Sequence, residues 1–120
     1  MSATKKSSKS KIRCVYVCGP ITKGNMTDNI GRGIKAGAEL MAAGFVPYIP
    51  HLDFMAAIMC PNEFSYEAIL TADLEWISRC DAILRLPGES PGGNREVAYA
   101  KKIGVPVFYT LKDLVEASDD

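Results

Sequence analysis

The sequence has little of what metal centres, membranes and nucleic acids require. It contains four cysteines and one histidine, His51, and no two cysteines show the CxxC spacing of a zinc site. No run of about 18 apolar residues could span a bilayer, and no apolar stretch follows the first lysines as it would in a signal peptide. The formal net charge is zero, so no strong field attracts nucleic acid or a membrane. We therefore expect a cytoplasmic protein with reduced cysteines and no metal or organic cofactor.

The start of the chain differs in composition from the rest. The stretch SATKKSSKSK is rich in serine and lysine and has no apolar residue larger than alanine. We predict that residues 1–11 form a disordered basic tail, whose lysines are most simply interpreted as a solvated extension. Residues 12–118 are predicted to form a single domain, because a chain of this length can bury one core.

Short β-branched apolar segments alternate with helical patterns along the rest of the chain. The predicted strands are 12–18, 45–50, 81–86 and 105–110, and the predicted helices are 27–44, 63–80, 94–104 and 111–118. Residues 51–62 are predicted to be a connection with at most one helical turn. This alternation predicts a flavodoxin-like or Rossmann-like α/β sandwich of three layers, with a parallel sheet of four to five strands.

In such sheets, ligands bind beyond the carboxyl ends of the strands. The loop after the first predicted strand has Gly19 and Gly24 at the spacing of the glycines in a P-loop. Asn25 and Met26 follow where a P-loop needs lysine and serine or threonine, which excludes a nucleoside triphosphatase of that type. The loop is either a plain turn or a contact for a sugar or phosphate.

Asp73 falls within the apolar stripe of the predicted helix 63–80, four residues from both Ile69 and Ile77. A carboxylate facing a core is unfavourable unless it has a partner or a function. Two interpretations remain open: a structural one, in which Asp73 pairs with a donor or the helix turns it outwards, and a functional one.

Glu96 also allows two interpretations. With Gly93 as N-cap, Glu96 would lie in the first helical turn, where a carboxylate stabilises the helix. Together with Asp73, it would alternatively provide the two carboxyl groups of glycosidic bond cleavage, one as nucleophile and one as proton donor. An ionised Glu96 and a protonated Asp73 would suit these roles.

Three stretches, VYVCGPI, ADLEWISRCDAIL and SPGGNREVAYAKKIGVPV, together resemble the nucleoside 2-deoxyribosyltransferase superfamily. Their motifs are close to those of the 2-deoxynucleoside 5′-monophosphate N-glycosidases. The resemblance implies cleavage or transfer at an N-glycosidic bond, with Glu96 as nucleophile, Tyr16 holding it and Asp73 assisting the leaving base. It also implies a nucleoside or nucleotide as small-molecule partner, and a homodimer.

The resemblance implies a 5′-phosphate site as well. Nucleotide-specific members place a serine six residues before the nucleophile, and Ser90 has that spacing. The N–H groups of the segment 92–95 would complete an anion nest. Pro20 stands where the nucleotide hydrolases carry a serine, which leaves the substrate open. The remaining substrate-binding candidates are Gly19, Ile21, His51, Gly92, Gly93 and Asn94.

Two other functions remain open. One is cleavage of NAD or ADP-ribose, for which so short a chain offers little room. The other is a non-catalytic nucleotide sensor in which Glu96 is only a helix cap. His51 is likewise either a rim residue that contacts substrate or a solvated loop residue.

Overall fold

A parallel sheet of four strands lies at the centre of residues 12–119, the part of the chain that the computed structural model describes. The strands are β1 (Cys14–Cys18), β2 (Val46–Tyr48), β3 (Ala82–Arg85) and β4 (Val107–Phe108). Their order is β2-β1-β3-β4, and every neighbouring pair is parallel. The predicted α/β fold is thereby confirmed, while the predicted tail 1–11 lies outside the described residues.

Five helices complete the described chain. They are α1 (Met26–Ala42), α2 (His51–Met59), α3 (Tyr66–Arg79), α4 (Pro91–Ile103) and α5 (Leu111–Ser118). In this part of the molecule, no helix is both long and apolar enough to cross a bilayer.

The central strand β1 is buried on both faces, because its side chains are apolar or aromatic in both directions. Val15 and Val17 point to one face, where they share a core cluster with residues of α1 and α5. Tyr16 and Cys18 point to the other face, which α3 and α4 cover. The three layers therefore place Tyr16 on the face of the sheet that α3 and α4 cover, and these helices carry Asp73 and Glu96.

The segment after β2 departs from the prediction. Residues 51–59 form the nine-residue helix α2, rather than a connection with one helical turn. Seven of its nine residues are apolar, so the sequence has no polar face opposite an apolar one from which an amphipathic helix is recognised. The helix matters for the site because it carries Asp53.

Helix α2 contacts α1 closely at Gly33. A Cβ at this position would lie 2.6 Å from Cγ of the fully buried His51 ring. We expect Gly33→Ala to lower the free energy of unfolding by about 1–3 kcal/mol through overpacking. Gly31→Ala is the matched control on the exposed side of the same helix, where an added Cβ meets nothing within 4 Å. It should stabilise by up to about 1 kcal/mol. Urea unfolding measures both changes, and equal effects would contradict the packing argument.

Candidate active site

The candidate site is a cleft beyond the carboxyl ends of β1 and β3. It lies between the loop 19–25, helix α3 and the start of α4. Most residues predicted for the site line this cleft: Gly19, Ile21, Asp73, Ser90, Gly92, Gly93 and Glu96.

Tyr16 and Glu96 are joined by a direct hydrogen bond. The Tyr16 hydroxyl donates to Oε2 of Glu96 at 3.0 Å, although the two residues are 80 positions apart. Tyr16 is fully buried, and burial together with the nearby Glu96 charge raises its pKa far above its ordinary value. The hydroxyl therefore stays protonated and remains a donor to Glu96.

Burial raises the pKa of Glu96, while the hydrogen bonds from Tyr16 and Cys18 oppose this effect. The positive charges of Arg95 and Arg85 oppose it as well. The carboxylate lies in a partly desolvated position, where it is less well solvated than in water and hence more reactive.

Glu96 is not a helix cap. Helix α4 begins at Pro91, and its N-cap is Ser90, whose Oγ accepts the Gly93 N–H at 2.9 Å. Proline is well suited to the first helical position, because no intrahelical bond needs its missing N–H. Glu96 consequently lies beyond the first turn and is directed at Tyr16. The predicted Gly93 cap and the helix start at residue 94 are both wrong.

Asp73 is only 1% exposed and lies on the face of α3 that carries Ile69 and Ile77. The interpretation in which the helix turns Asp73 outwards is therefore wrong. Its Oδ1 has no hydrogen-bond partner among residues 12–119. Burial raises the pKa of Asp73 to about 8, and the charges of Glu96 and Asp53 add to the effect. Asp73 is accordingly a carboxylic acid at neutral pH, as its predicted role requires.

Asp53 and Tyr48 are site residues that the sequence reasoning missed. The Tyr48 hydroxyl donates to Oδ2 of Asp53 at 2.6 Å, and the Asp53 carboxyl lies close enough to Asp73 to raise the pKa of Asp73. The Tyr48 ring lies between two others, with centroids 5.7 Å from Tyr16 and 4.8 Å from Trp76. The available signal was that Asp53 closely follows β2, at the edge of the sheet where ligands bind.

His51 does not line the cleft. It begins α2, is fully buried and packs against Gly33, so it is not a solvated loop residue. Burial lowers its pKa to about 4, although the nearby Pro20 carbonyl favours the charged ring. Neither ring nitrogen has a hydrogen bond of good geometry within the described residues. The ring is therefore neutral in the physiological range.

The side chain of Asn94 points away from Glu96. Its Oδ1 accepts from Arg85 at 3.1 Å, and Arg85 also donates to the carbonyls of Leu86 and Gly88. Arg85 is 8% exposed. It therefore fastens the loop after β3 to helix α4, and Asn94 serves this contact rather than the cleft.

The predicted anion nest is smaller than expected. The Gly93 N–H is bonded to Ser90 Oγ, and the Asn94 N–H is bonded to the Ser90 carbonyl at 2.8 Å. The Arg95 N–H belongs to the regular helix ladder, and Pro91 has no N–H. The Gly92 N–H and the Ser90 hydroxyl proton remain to receive an anion, because the helix cap itself uses the other groups.

Cavity volumes show how a ligand would reach the carboxyl groups. The cleft encloses about 60 Å³, room for only a few water molecules. A second cavity of about 370 Å³ reaches Glu96 between α3 and α4, and Leu70, Leu74 and Tyr99 form part of its walls. A third cavity, of about 580 Å³, lies around Arg85 and Asn94 and borders neither Asp73 nor Glu96. Asp73 lines the small cleft, and Glu96 lines both the cleft and the cavity between α3 and α4.

Comparisons with known proteins agree with this fold. The structure is similar to that of a 2-deoxyribosyltransferase from the psychrotolerant bacterium Bacillus psychrosaccharolyticus, with a TM-score of 0.59. The match covers 78% of this chain and 69% of that one at 18% identity. The resemblance to the deoxyribosyltransferase superfamily is thus confirmed in the fold. Residues 13–109 match a family described as a domain of unknown function, DUF4406, and the chain belongs to that family. A comparison with curated proteins found no match.

Proposed function

We propose that the protein cleaves or transfers at the N-glycosidic bond of a (deoxy)nucleoside or its 5′-monophosphate. The observation that carries the proposal is the Tyr16–Glu96 hydrogen bond of 3.0 Å beside the buried acid Asp73. One carboxylate and one carboxylic acid at a cleft are the groups that glycosidic bond cleavage uses. The similarity in fold to a deoxyribosyltransferase supports the same chemistry.

The reaction has two steps. In the first, the Glu96 carboxylate attacks the anomeric carbon and forms an ester, while the bond to the base breaks and its electron pair goes to the base. Asp73 gives its proton to the leaving base. In the second, water attacks the anomeric carbon and gives a proton to the Asp73 carboxylate, which frees the sugar and Glu96. A second base in place of water gives exchange.

The shapes of the two cavities suit different parts of the substrate. The cavity between α3 and α4 is of ligand size and has apolar and aromatic walls, which suit a base. The small cleft reaches Ser90 and the loop 19–25, which suit a sugar and its phosphate. Lys23 and Glu89 form an exposed ion pair of 3.8 Å between the two loops at this cleft. Exposed pairs contribute at most about 1 kcal/mol, so opening the cleft for a sugar costs little here.

Base release tests the proposal. The protein is incubated with nucleosides, deoxynucleoside 5′-monophosphates and NAD, and free base is separated by chromatography. Release from a nucleoside or monophosphate supports the proposal, and exchange with an added free base marks a transferase. Release from NAD alone would favour the NAD hydrolase. Binding without release from any substrate would contradict the proposal and favour a sensor. We further propose a cytoplasmic homodimer, and size-exclusion chromatography tests the dimer.

Ser90 tests the phosphate site. Because Ser90 and Gly92 line the cleft and can donate hydrogen bonds to an anion, we expect monophosphates to exceed nucleosides at least about tenfold in kcat/KM. Ser90→Ala should abolish this preference and leave the nucleoside rate unchanged. Ser90 also caps α4, so Ser90→Asp is the matched variant that keeps a capping side chain but repels phosphate. Equal rates on both substrates in the parent protein would rule out the phosphate site.

A further inference from the structure

The site contains two tyrosine–carboxylate pairs side by side. Tyr16 and Tyr48 are register partners on the neighbouring strands β1 and β2, and their rings stack at an interplanar angle of 25°. Tyr16 donates to Glu96 at 3.0 Å, and Tyr48 donates to Asp53 at 2.6 Å. The first pair holds the proposed nucleophile, while the proposed function leaves the second without a role.

Asp73 connects the two pairs. Its carboxyl group lies close to Asp53, Glu96 and the Tyr16 hydroxyl, which all affect its pKa. The titratable groups that face it are Glu96 on α4, Asp53 on α2, Tyr16 on β1 and Tyr48 on β2. Within residues 12–119, neither ion pair that the structure contains involves any of these acids. Three carboxyl groups therefore meet without a paired cation, which is unfavourable unless they share protons.

We propose that Asp53, held by Tyr48, is a positioning residue that shares a single proton with Asp73 and keeps it there for the leaving base. This inference rests on the proposed function. A proton shared with Asp53 would hold the Asp73 carboxyl in place, and Asp73 Oδ1, which is buried and without a partner in the described chain, would be available to the base. When the bond to the base breaks, the shared proton moves to the base and both aspartates are left as carboxylates.

Asp53→Asn tests the inference, because an amide oxygen can still accept from Tyr48 while the negative charge is lost. Without that charge Asp73 ionises more easily, so its pKa falls by about one unit or more. Carbon-13 NMR of the aspartate carboxyl groups measures this titration directly and needs no substrate. In kinetics, the alkaline limb of kcat should move down by about one pH unit. The rate at pH 8 should fall about fivefold with KM little changed, because the protonated fraction of Asp73 falls from about one half to about one tenth.

Tyr48→Phe provides a change of opposite sign. It keeps the stacked ring but removes the hydroxyl that stabilises the Asp53 carboxylate, so the shared proton should be lost at higher pH than in the parent protein. Glu75→Gln is the matched control: Glu75 lies on α3 two residues from Asp73, is exposed and pairs with Arg79. It should leave the Asp73 titration unchanged.

The outcomes separate this inference from the proposed function. An Asp73 titration that is the same in the parent protein and in folded Asp53→Asn would overturn the inference, even if the parent releases base. A shifted titration in a protein that releases no base would support proton sharing and contradict the proposed function. If Asp53→Asn does not fold, Tyr48→Phe decides, since an unchanged Asp73 titration there would equally overturn the inference.

Discussion

Glu96→Gln is expected to abolish base release, by a factor on the order of 10³ or more, without loss of the fold. The amide oxygen can still accept the Tyr16 hydrogen bond, so the side chain should keep its place. The amide is not a nucleophile, however, and the ester intermediate cannot form. Burial raises the pKa of the native carboxylate, so a neutral amide should be at least as stable in this position.

The measurement is the initial rate of base release, with thermal unfolding as the check on folding. Glu89→Gln is the matched control, because Glu89 lies in the preceding loop and is exposed. It should retain at least about half of the parent rate, since a surface ion pair contributes little. A folded Glu96→Gln variant with near-parental activity would refute the proposed mechanism.

Asp73→Asn is expected to stabilise the protein at alkaline pH while it lowers activity. The pKa of Asp73 is about 8 in the folded protein, against an ordinary value of 3.8. Between these values the folded chain keeps the proton and the unfolded chain has lost it. Stability therefore falls as the pH rises through this range and levels off above pH 8. The two pKa values differ by about four units, each worth about 1.4 kcal/mol, so the variant, which lacks this loss, should gain on the order of 5 kcal/mol at pH 8, roughly 20 °C in Tm.

Urea unfolding of both proteins at pH 4, 6 and 8 measures this effect. The difference in the free energy of unfolding should be small at pH 4 and increase with pH, because at pH 4 the folded carboxyl is neutral and the unfolded one is partly protonated. A difference that stays constant over this range would show altered packing rather than titration. A functional acid is expected to lower the stability of the resting protein in this way.

The sequence predicted the strands of the sheet more accurately than the ends of the helices. The apolar segment around Val15 and Val17 has one physical solution, a central buried strand, and the structure shows it. The position of Asp73 between Ile69 and Ile77 indicated a core-facing carboxylate, but the sequence left open whether the helix would turn it outwards. The start of α4 was misplaced because Gly92 and Gly93 resemble a loop, whereas Ser90 as cap and Pro91 as first residue fix the helix there.

The contacts between the carboxyl groups could not be predicted from local patterns. Tyr16 and Glu96 meet only because strands whose partner residues are 67 positions apart along the chain pair in one register. The family resemblance implied this pair, but composition and spacing did not. Asp53 was missed for a different reason: α2 has no polar face opposite an apolar one, so the sequence contained no sign that Asp53 would lie on a helix next to Asp73.

The closeness of Glu96 to Asp73 has a consequence for timing. The negative charge of Glu96 is one of the causes that keep the proton on Asp73. In the proposed reaction this charge disappears as the ester forms, so Asp73 becomes a stronger acid at the moment when the base needs a proton. When water opens the ester, the charge returns and draws a proton back to Asp73. The charge of Glu96 thus controls the acidity of Asp73 during the reaction, and no movement of the chain is required to reset the site.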